Sequence, residues 1–181
     1  MDRNDRYDSL IKYYATANEL SWRLIKKLIE VESSFRPDAV SPVGAVGLAQ
    51  FMPRTWTEWG NGFRKNPEES IRACCLYLKW LYGRYAEIPD EVERLRFALA
   101  AYNCGRANLN RALHKARKAF GQPASFKAWQ DIGSPTGSWQ KWHFTRDFLQ
   151  KITGENSIET IDYVEKILPY GGAKIYERRD F

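Results

Sequence analysis

The stretch Leu24-Ile25-Lys26-Lys27-Leu28-Ile29-Glu30-Val31-Glu32-Ser33-Ser34-Phe35 carries its apolar residues at helical spacing. With about 100° of turn per residue and Leu24 at zero, Ile25, Leu28 and Ile29 fall at about 100°, 40° and 140°, one stripe of an amphipathic helix. Glu32 falls at about 80°, inside that stripe, whereas Glu30 falls at about 240°, on the solvated side. The spacing predicts a helix over residues 20–34 that ends ahead of Pro37, because proline disfavours helical backbone at Arg36. A carboxyl on an apolar stripe either finds backbone amides or a cation such as Arg36, or it is pushed to hold its proton. The second state makes a general acid. Half-protonation at about pH 6.5 costs about 3 kcal/mol, which a purely structural residue has no reason to meet. Taken alone, these residues leave both readings open.

Outward from this helix the same period recurs, with breaks at 36–47, 60–67, 87–90, 104–105 and 121–137. No alternating strand and no internal repeat appear, so the fold class is mainly α. Asn66-Pro67-Glu68-Glu69 supplies an N-cap, a proline at the first helical position and a Glu three residues after the cap. It starts a helix running through Ile71, Leu76, Leu78 and Leu81 toward Tyr85. Residues 95–102 are almost continuously apolar and read as a buried helix stopped by Gly105. Leu109, Leu113, Ala116 and Phe120 mark one face of the next helix; its other face holds Arg106, Arg111, Lys115, Arg117 and Lys118 with no acid among them. Residues 121–137 are loop-rich. Trp139, Trp142, Phe144 and Phe148 then suggest an aromatic helix, and Ser157 can cap a last helix ending before Pro169.

A chain of 181 residues fits one domain and buries roughly 70% of its unfolded surface. Its 44% hydrophobic and 28% charged residues exclude a disordered chain. Seven Trp, ten Tyr and nine Phe suit sugar faces as well as cores. The formal charge of +6 favours an anionic partner without choosing among nucleic acid, membrane surface and acidic envelope polymers. Three cysteines without a CxxC pair, and only His114 and His143 beside them, predict free thiols and no metal site. The polar start Met1-Asp2-Arg3-Asn4-Asp5-Arg6 and the lack of a long apolar run predict neither a signal peptide nor a spanning helix.

Glu32-Ser33-Ser34-Phe35, Ser41-Pro42-Val43-Gly44-Ala45 and Gly47-Leu48-Ala49-Gln50-Phe51-Met52-Pro53 together resemble the catalytic domain of soluble lytic transglycosylases. That family shares its lysozyme-like fold with goose-type lysozymes. Asn66-Pro67-Glu68-Glu69-Ser70-Ile71 leading to Tyr77-Leu78, then Ala101-Tyr102-Asn103-Cys104-Gly105, then Glu159-Thr160-Ile161-Asp162-Tyr163-Val164 agree in the same order. The match extends over most of residues 20–170. It implies a mainly α, lysozyme-like fold, a single helical domain over 1–181 with a glycan-binding groove, a short N-terminal extension at 1–19 and an extended insert over roughly 106–156. It also implies Glu32 as the catalytic acid, with Ser41, Gln50, Met52, Tyr102, Asn103, Glu159 and Tyr163 lining the groove. Tyr102 and Tyr163 have an equal claim as packing rings, Gln50 and Asn103 a weaker one as core amides, and Met52 as a core side chain. Three features depart from the pattern: Ala49 where a larger residue usually precedes the glutamine, Cys104 at the variable place, and the long stretch between Asn103 and Glu159.

Most glycosidases need two carboxyl groups. After Glu32 come Asp38, close behind, and then Glu58. Where hydrolytic goose-type relatives place helper aspartates, this chain holds other residues. The resemblance implies instead that Glu32 protonates the oxygen between N-acetylmuramic acid and N-acetylglucosamine and then activates the muramyl C6 hydroxyl, closing a 1,6-anhydro ring without cofactor or metal. A water-using muramidase is the alternative, and a non-catalytic glycan-binding or virion module is a second. The expected partner is peptidoglycan, with Arg106, Arg111, Lys115, Arg117 and Lys118 available to anionic envelope polymers. A nucleic-acid partner is not expected, since no nucleic-acid motif accompanies the basic residues, and the chain is expected to be a monomer. A compact, basic cell-wall cleaver without a leader resembles a bacteriophage endolysin, held in the host cytoplasm until release to the wall; a tail-associated lysin or a domain excised from a longer exported enzyme fits the same sequence.

Overall fold

The computed structural model describes residues 5–120 and 142–169. Helices in chain order are α1 Asp8–Ala17, α2 Trp22–Ser33, α3 Pro53–Trp59, α4 Pro67–Arg84, α5 Glu91–Cys104, α6 Arg106–Phe120, α7 Trp142–Thr153 and α8 Asn156–Ile167. Among the described residues the β pairing consists of two isolated bridges, Val40 with Val46 and Val46 with Phe51. The fold is therefore mainly α, as the periodicity predicts. Residues 121–137 and Trp139 lie outside the described residues, as do the side chains of Phe120 and Phe144.

The chain divides into two compact units, Met1–Trp80 with Lys166–Phe181 and Leu81–Glu165. In the first, α2 buries the stripe Leu24, Ile25, Leu28 and Ile29, each of which contributes about 1.5–3 kcal/mol by leaving water. α1 packs on α2 with Ile11 and Ala15 fully buried, and Lys26 of α2 reaches both Asp5 and Asp8 at 2.8–2.9 Å. The segment read as an N-terminal extension thus contains a helix of the first unit's core. Asn66 caps α4 by accepting from Glu69 N at 3.3 Å. The other half of the expected capping box does not form, because the Glu69 carboxylate turns to Arg72, at 3.0 Å.

In the second unit Asp90 caps α5, accepting from the amides of Val92 and Glu93 at 3.0 Å each, and Gly105 ends it at φ 82°. α5 is not purely apolar. Glu93 and Arg96, 5% and 3% exposed, form an ion pair of 2.9 Å inside it. The second Glu93 oxygen accepts the Trp142 amide at 2.7 Å, so a carboxylate of α5 holds the first turn of α7, where helix amides lack internal partners. Helices α6 and α7, both within the expected insert, share the most extensive helix packing described. Ser157 does not cap α8 from outside. It lies in the first turn, and its buried hydroxyl donates to Gly154 O at 2.7 Å.

Candidate active site

Glu32 stands in the last turn of α2, half-buried, while Glu30 is exposed and pairs with Lys27 at 2.8 Å. The wheel drawn from the sequence therefore separates the two acids correctly. The helix ends with two successive non-glycine residues in the left-handed region, Ser34 at φ 51° and Phe35 at φ 59°. Such backbone costs about 1–3 kcal/mol per residue and persists only where surrounding structure fixes it. Here Phe35 is buried, and the Ser34 amide closes on Glu30 O at 2.9 Å.

The loop that follows is braced by its own side chains. Ser41 Oγ accepts the Ala45 amide at 3.0 Å, which leaves the hydroxyl proton as its unspent donor. Gln50, at φ 47°, donates from Nε2 to Gly47 O at 2.9 Å and to Ala39 O at 3.3 Å. Both amide hydrogens are spent inside the loop; the carbonyl oxygen makes no hydrogen bond among the described residues. Val46 and Phe51 exchange backbone bonds of 3.1 Å around the turn. Arg64 Nη1 donates at 3.0 Å to both Gly44 O and Phe51 O, and Ser70 Oγ accepts the Ala49 amide at 3.1 Å. Met52, exposed, precedes Pro53, which opens α3. Behind the loop the ring of Phe51 meets Trp56 and Tyr77, with centroids 5.5 and 6.1 Å away, and Trp59 and Trp80 extend the cluster.

Gly47, at φ 89°, is required on two counts: a Cβ there would lie 2.2 Å from Arg64 O. Gly47→Ala is expected to destabilise the chain by about 2 kcal/mol or more, read as a lower urea midpoint. A midpoint within error of the parent shows instead that the loop yields freely.

In the second unit, Tyr102 and Asn103 end α5, both half-buried. Asn103 Oδ1 accepts from Thr160 Oγ1 of α8 at 2.7 Å, and its amide hydrogens make no hydrogen bond among the described residues. Glu159 and Tyr163 are one turn apart on α8, the acid exposed and the tyrosine buried. Burial pushes the Cys104 thiol up to about 12 and raises that of Cys75 as well. Cys74, Cys75 and Cys104 are thiols outside any disulfide, and the two raised ones hold their protons, which makes poor nucleophiles.

Ser41, Gln50 and Met52 thus share the first unit with Glu32, and Tyr102, Asn103, Glu159 and Tyr163 belong to the second. The sequence reading missed Arg64, Ser70 and Thr160, whose bonds to the loop and to Asn103 link residues 13 to 57 positions apart. No helix among the described residues is long and apolar enough to cross a membrane.

The structure is similar to the 70 kDa soluble lytic transglycosylase SLT70 of Escherichia coli, with a TM-score of 0.61 and 22% identity over 92% of this chain and 23% of that one. It is also similar to an inactive mutant of the lytic transglycosylase Slt of Pseudomonas aeruginosa, with a TM-score of 0.51 and 20% identity over 93% of this chain and 26% of that one. These likenesses establish the mainly helical, lysozyme-like fold. In sequence, the membrane-bound lytic murein transglycosylase F of Marinobacter nauticus is 33% identical over 171 residues, 93% of this chain and 33% of that protein. The enzyme of the same name from Photobacterium profundum is 32% identical over 166 residues, 91% and 31%. The chain spans about a third of the length of these curated relatives. The pattern of the transglycosylase SLT domain matches residues 9–123, from α1 through α6 and including Glu32 and its loop, and the chain belongs to that family.

Proposed function

We propose that this chain cleaves the β-1,4 bond between N-acetylmuramic acid and N-acetylglucosamine in peptidoglycan by lytic transglycosylation, with Glu32 as general acid and then general base. The observation that carries the reading is a half-buried glutamate on the core-facing stripe of α2, separated by Ser33 alone from two residues of left-handed backbone, Ser34 and Phe35, and then a self-braced loop. Glu32 protonates the departing oxygen while the muramyl acetamido group assists. As a carboxylate it then takes the proton of the muramyl C6 hydroxyl, which attacks C1 and closes the 1,6-anhydro ring. One residue serves both steps, so a second carboxyl is not needed, unlike in ordinary glycosidases. Asp38 and Glu58, the next acids along the chain, are both exposed.

In the first unit Ser41 offers its hydroxyl proton, Gln50 a carbonyl oxygen and Met52 an exposed thioether, complementary to the hydroxyl and acetamido groups and apolar face of an amino sugar; in the second unit Asn103 separately offers two amide hydrogens. Glu159 and Tyr102 are proposed as further glycan contacts, and Tyr163 as a packing ring beneath them. The basic residues of α6 are proposed to draw the enzyme to anionic envelope polymers. The endolysin role read from the sequence rests on the basic, compact chain alone. Similarity to bacterial membrane-bound enzymes supports instead a wall-cutting module of the bacterial envelope.

Products from purified sacculi, separated and weighed by mass spectrometry, are expected to end in 1,6-anhydromuramic acid, 18 Da lighter than the hydrolytic product because about one water per cut is not consumed. Mainly reducing muramyl ends would make the enzyme a water-using muramidase; intact sacculi would leave a glycan-binding module.

A further inference from the structure

Helix α6 carries more than one basic surface. Taking Leu109 as zero on its wheel, the buried residues Ala112, Leu113 and Ala116 fall at about 300°, 40° and 340°. Arg111, Lys115 and Lys118 fall at about 200°, 240° and 180°, directly opposite and all exposed. Arg106, Asn110, His114 and Arg117 fall between the two, at about 60°, 100°, 140° and 80°. This flanking stripe faces a cleft of about 310 Å³ whose other walls are Arg84, Tyr85, Glu87 and the edge of Leu113.

The cleft is built for an oxyanion. It gathers three guanidinium groups and one imidazole against a single carboxylate. That carboxylate, Glu87, pairs with Arg117 at 2.6 Å and so competes with a bound anion for the Arg117 guanidinium. The buried Tyr85 hydroxyl donates to Asn110 Oδ1 across a long 3.4 Å, and the Asn110 amide nitrogen adds two donors to the lining. Arginine forks and amide hydrogens match the oxygens of a phosphate better than a neutral sugar does.

We propose that this cleft binds one phosphodiester group of an anionic wall polymer. This rests on the docking role of α6 proposed above and names the part of the helix that recognises the polymer, the outer stripe supplying only long-range attraction. A polymer is favoured because Arg111, Lys115 and Lys118 continue the positive charge along α6 beyond the cleft. A lipid surface is disfavoured: a helix lying on a bilayer presents large apolar residues beside its basic ones, and over Arg106–Lys118, where the side chains of α6 are described, no large hydrophobic residue is exposed.

The test is calorimetric titration of the full chain with inorganic phosphate at constant ionic strength, repeated with a short glycerol-phosphate oligomer, with citrate and with phosphatidylglycerol vesicles. Saturable one-site binding of phosphate and oligomer is expected, weakened at least about 10-fold in Arg84→Gln/Arg106→Gln. In Lys115→Gln/Lys118→Gln, with the same loss of charge, the change should stay below about 2-fold. Arg84 and Arg106 are exposed, so their replacement should leave the melt unchanged. Glu87→Gln gives an independent reading of opposite sign, because removing the competing carboxylate should tighten phosphate. Equal weakening in the two double variants, no saturable phosphate binding, or no tightening in Glu87→Gln overturns the site. Citrate bound as tightly as phosphate overturns the phosphodiester class, and displacement of phosphate by the vesicles but not the oligomer overturns the polymer as its source. Adsorption to sacculi at low salt separates the two readings: it should fall in Lys115→Gln/Lys118→Gln, and if it does not, docking through the outer stripe fails while the phosphate titration still decides the cleft.

Discussion

Glu32→Gln should melt at the temperature of the parent chain and lose wall lysis by at least about 10²-fold, up to about 10⁴-fold. Glutamine keeps the volume of the side chain and part of its hydrogen bonding but can neither give up a proton to the leaving oxygen nor take one from the C6 hydroxyl. Glu30→Gln, two residues away, should change lysis by less than about 2-fold, because an exposed pair such as Glu30 with Lys27 contributes about 0–1 kcal/mol and nothing to a glycan. Turbidity loss of purified sacculi measures both. Activity of Glu32→Gln within a few-fold of the parent removes Glu32 from the chemistry. An equally deep loss in Glu30→Gln shows that folding, and not proton transfer, is what either change damages, and circular dichroism of the two variants separates those outcomes.

The contrast between Glu30 and Glu32 is also where the sequence was most legible. A helical wheel needs only the period of the backbone, and the period places one acid on the buried stripe and the other in water. The start of α4 and the end of α5 were readable for the same local reason: Asn66-Pro67 and Gly105 act within one turn of themselves. Seven-residue α3 was not seen, since two turns hold too few apolar positions to show a period. Residues 8–17 precede every quoted motif, so the motifs present them as an extension although Ile11 and Ala15 are fully buried. Within the loop the residue types were evident but their employment was not. Whether Gln50 spends its amide on a sugar or on Gly47 O depends on loop closure, and the closure is held by Arg64 and Ser70 from outside the motif. Helix α6 was read as having two faces where it has three, although the angles that separate Arg106 and Arg117 from Lys115 were available from the sequence.

The feature least visible in the sequence carries the second large expected effect. Glu93→Ala should destabilise the chain by about 3–5 kcal/mol, the usual cost of removing one member of a buried ion pair. For a chain of this length each kcal/mol moves the melting temperature by about 2–4 °C, so the expected drop is about 6–20 °C. Glu93 and Arg96 stand three residues apart, a spacing that usually puts an ion pair on the solvated face of a helix. What buries them is Trp142, 49 positions away, whose fully buried ring meets Phe97 edge-on at 5.8 Å and whose amide donates to Glu93. Alanine therefore deprives the Arg96 guanidinium of its carboxylate and the first turn of α7 of its acceptor at once, and the packing of α7 on α6 should loosen with it. Glu93→Leu/Arg96→Leu removes both charges and fills the space with apolar atoms, which commonly restores stability, so this double variant should melt above Glu93→Ala and below the parent, the remaining deficit being the lost cap on Trp142. A Glu93→Ala drop of under about 3 °C means the pair is more hydrated than its burial indicates. A double variant that melts below the single one means the carboxylate's bond to α7, rather than its pairing with Arg96, is what holds this unit together.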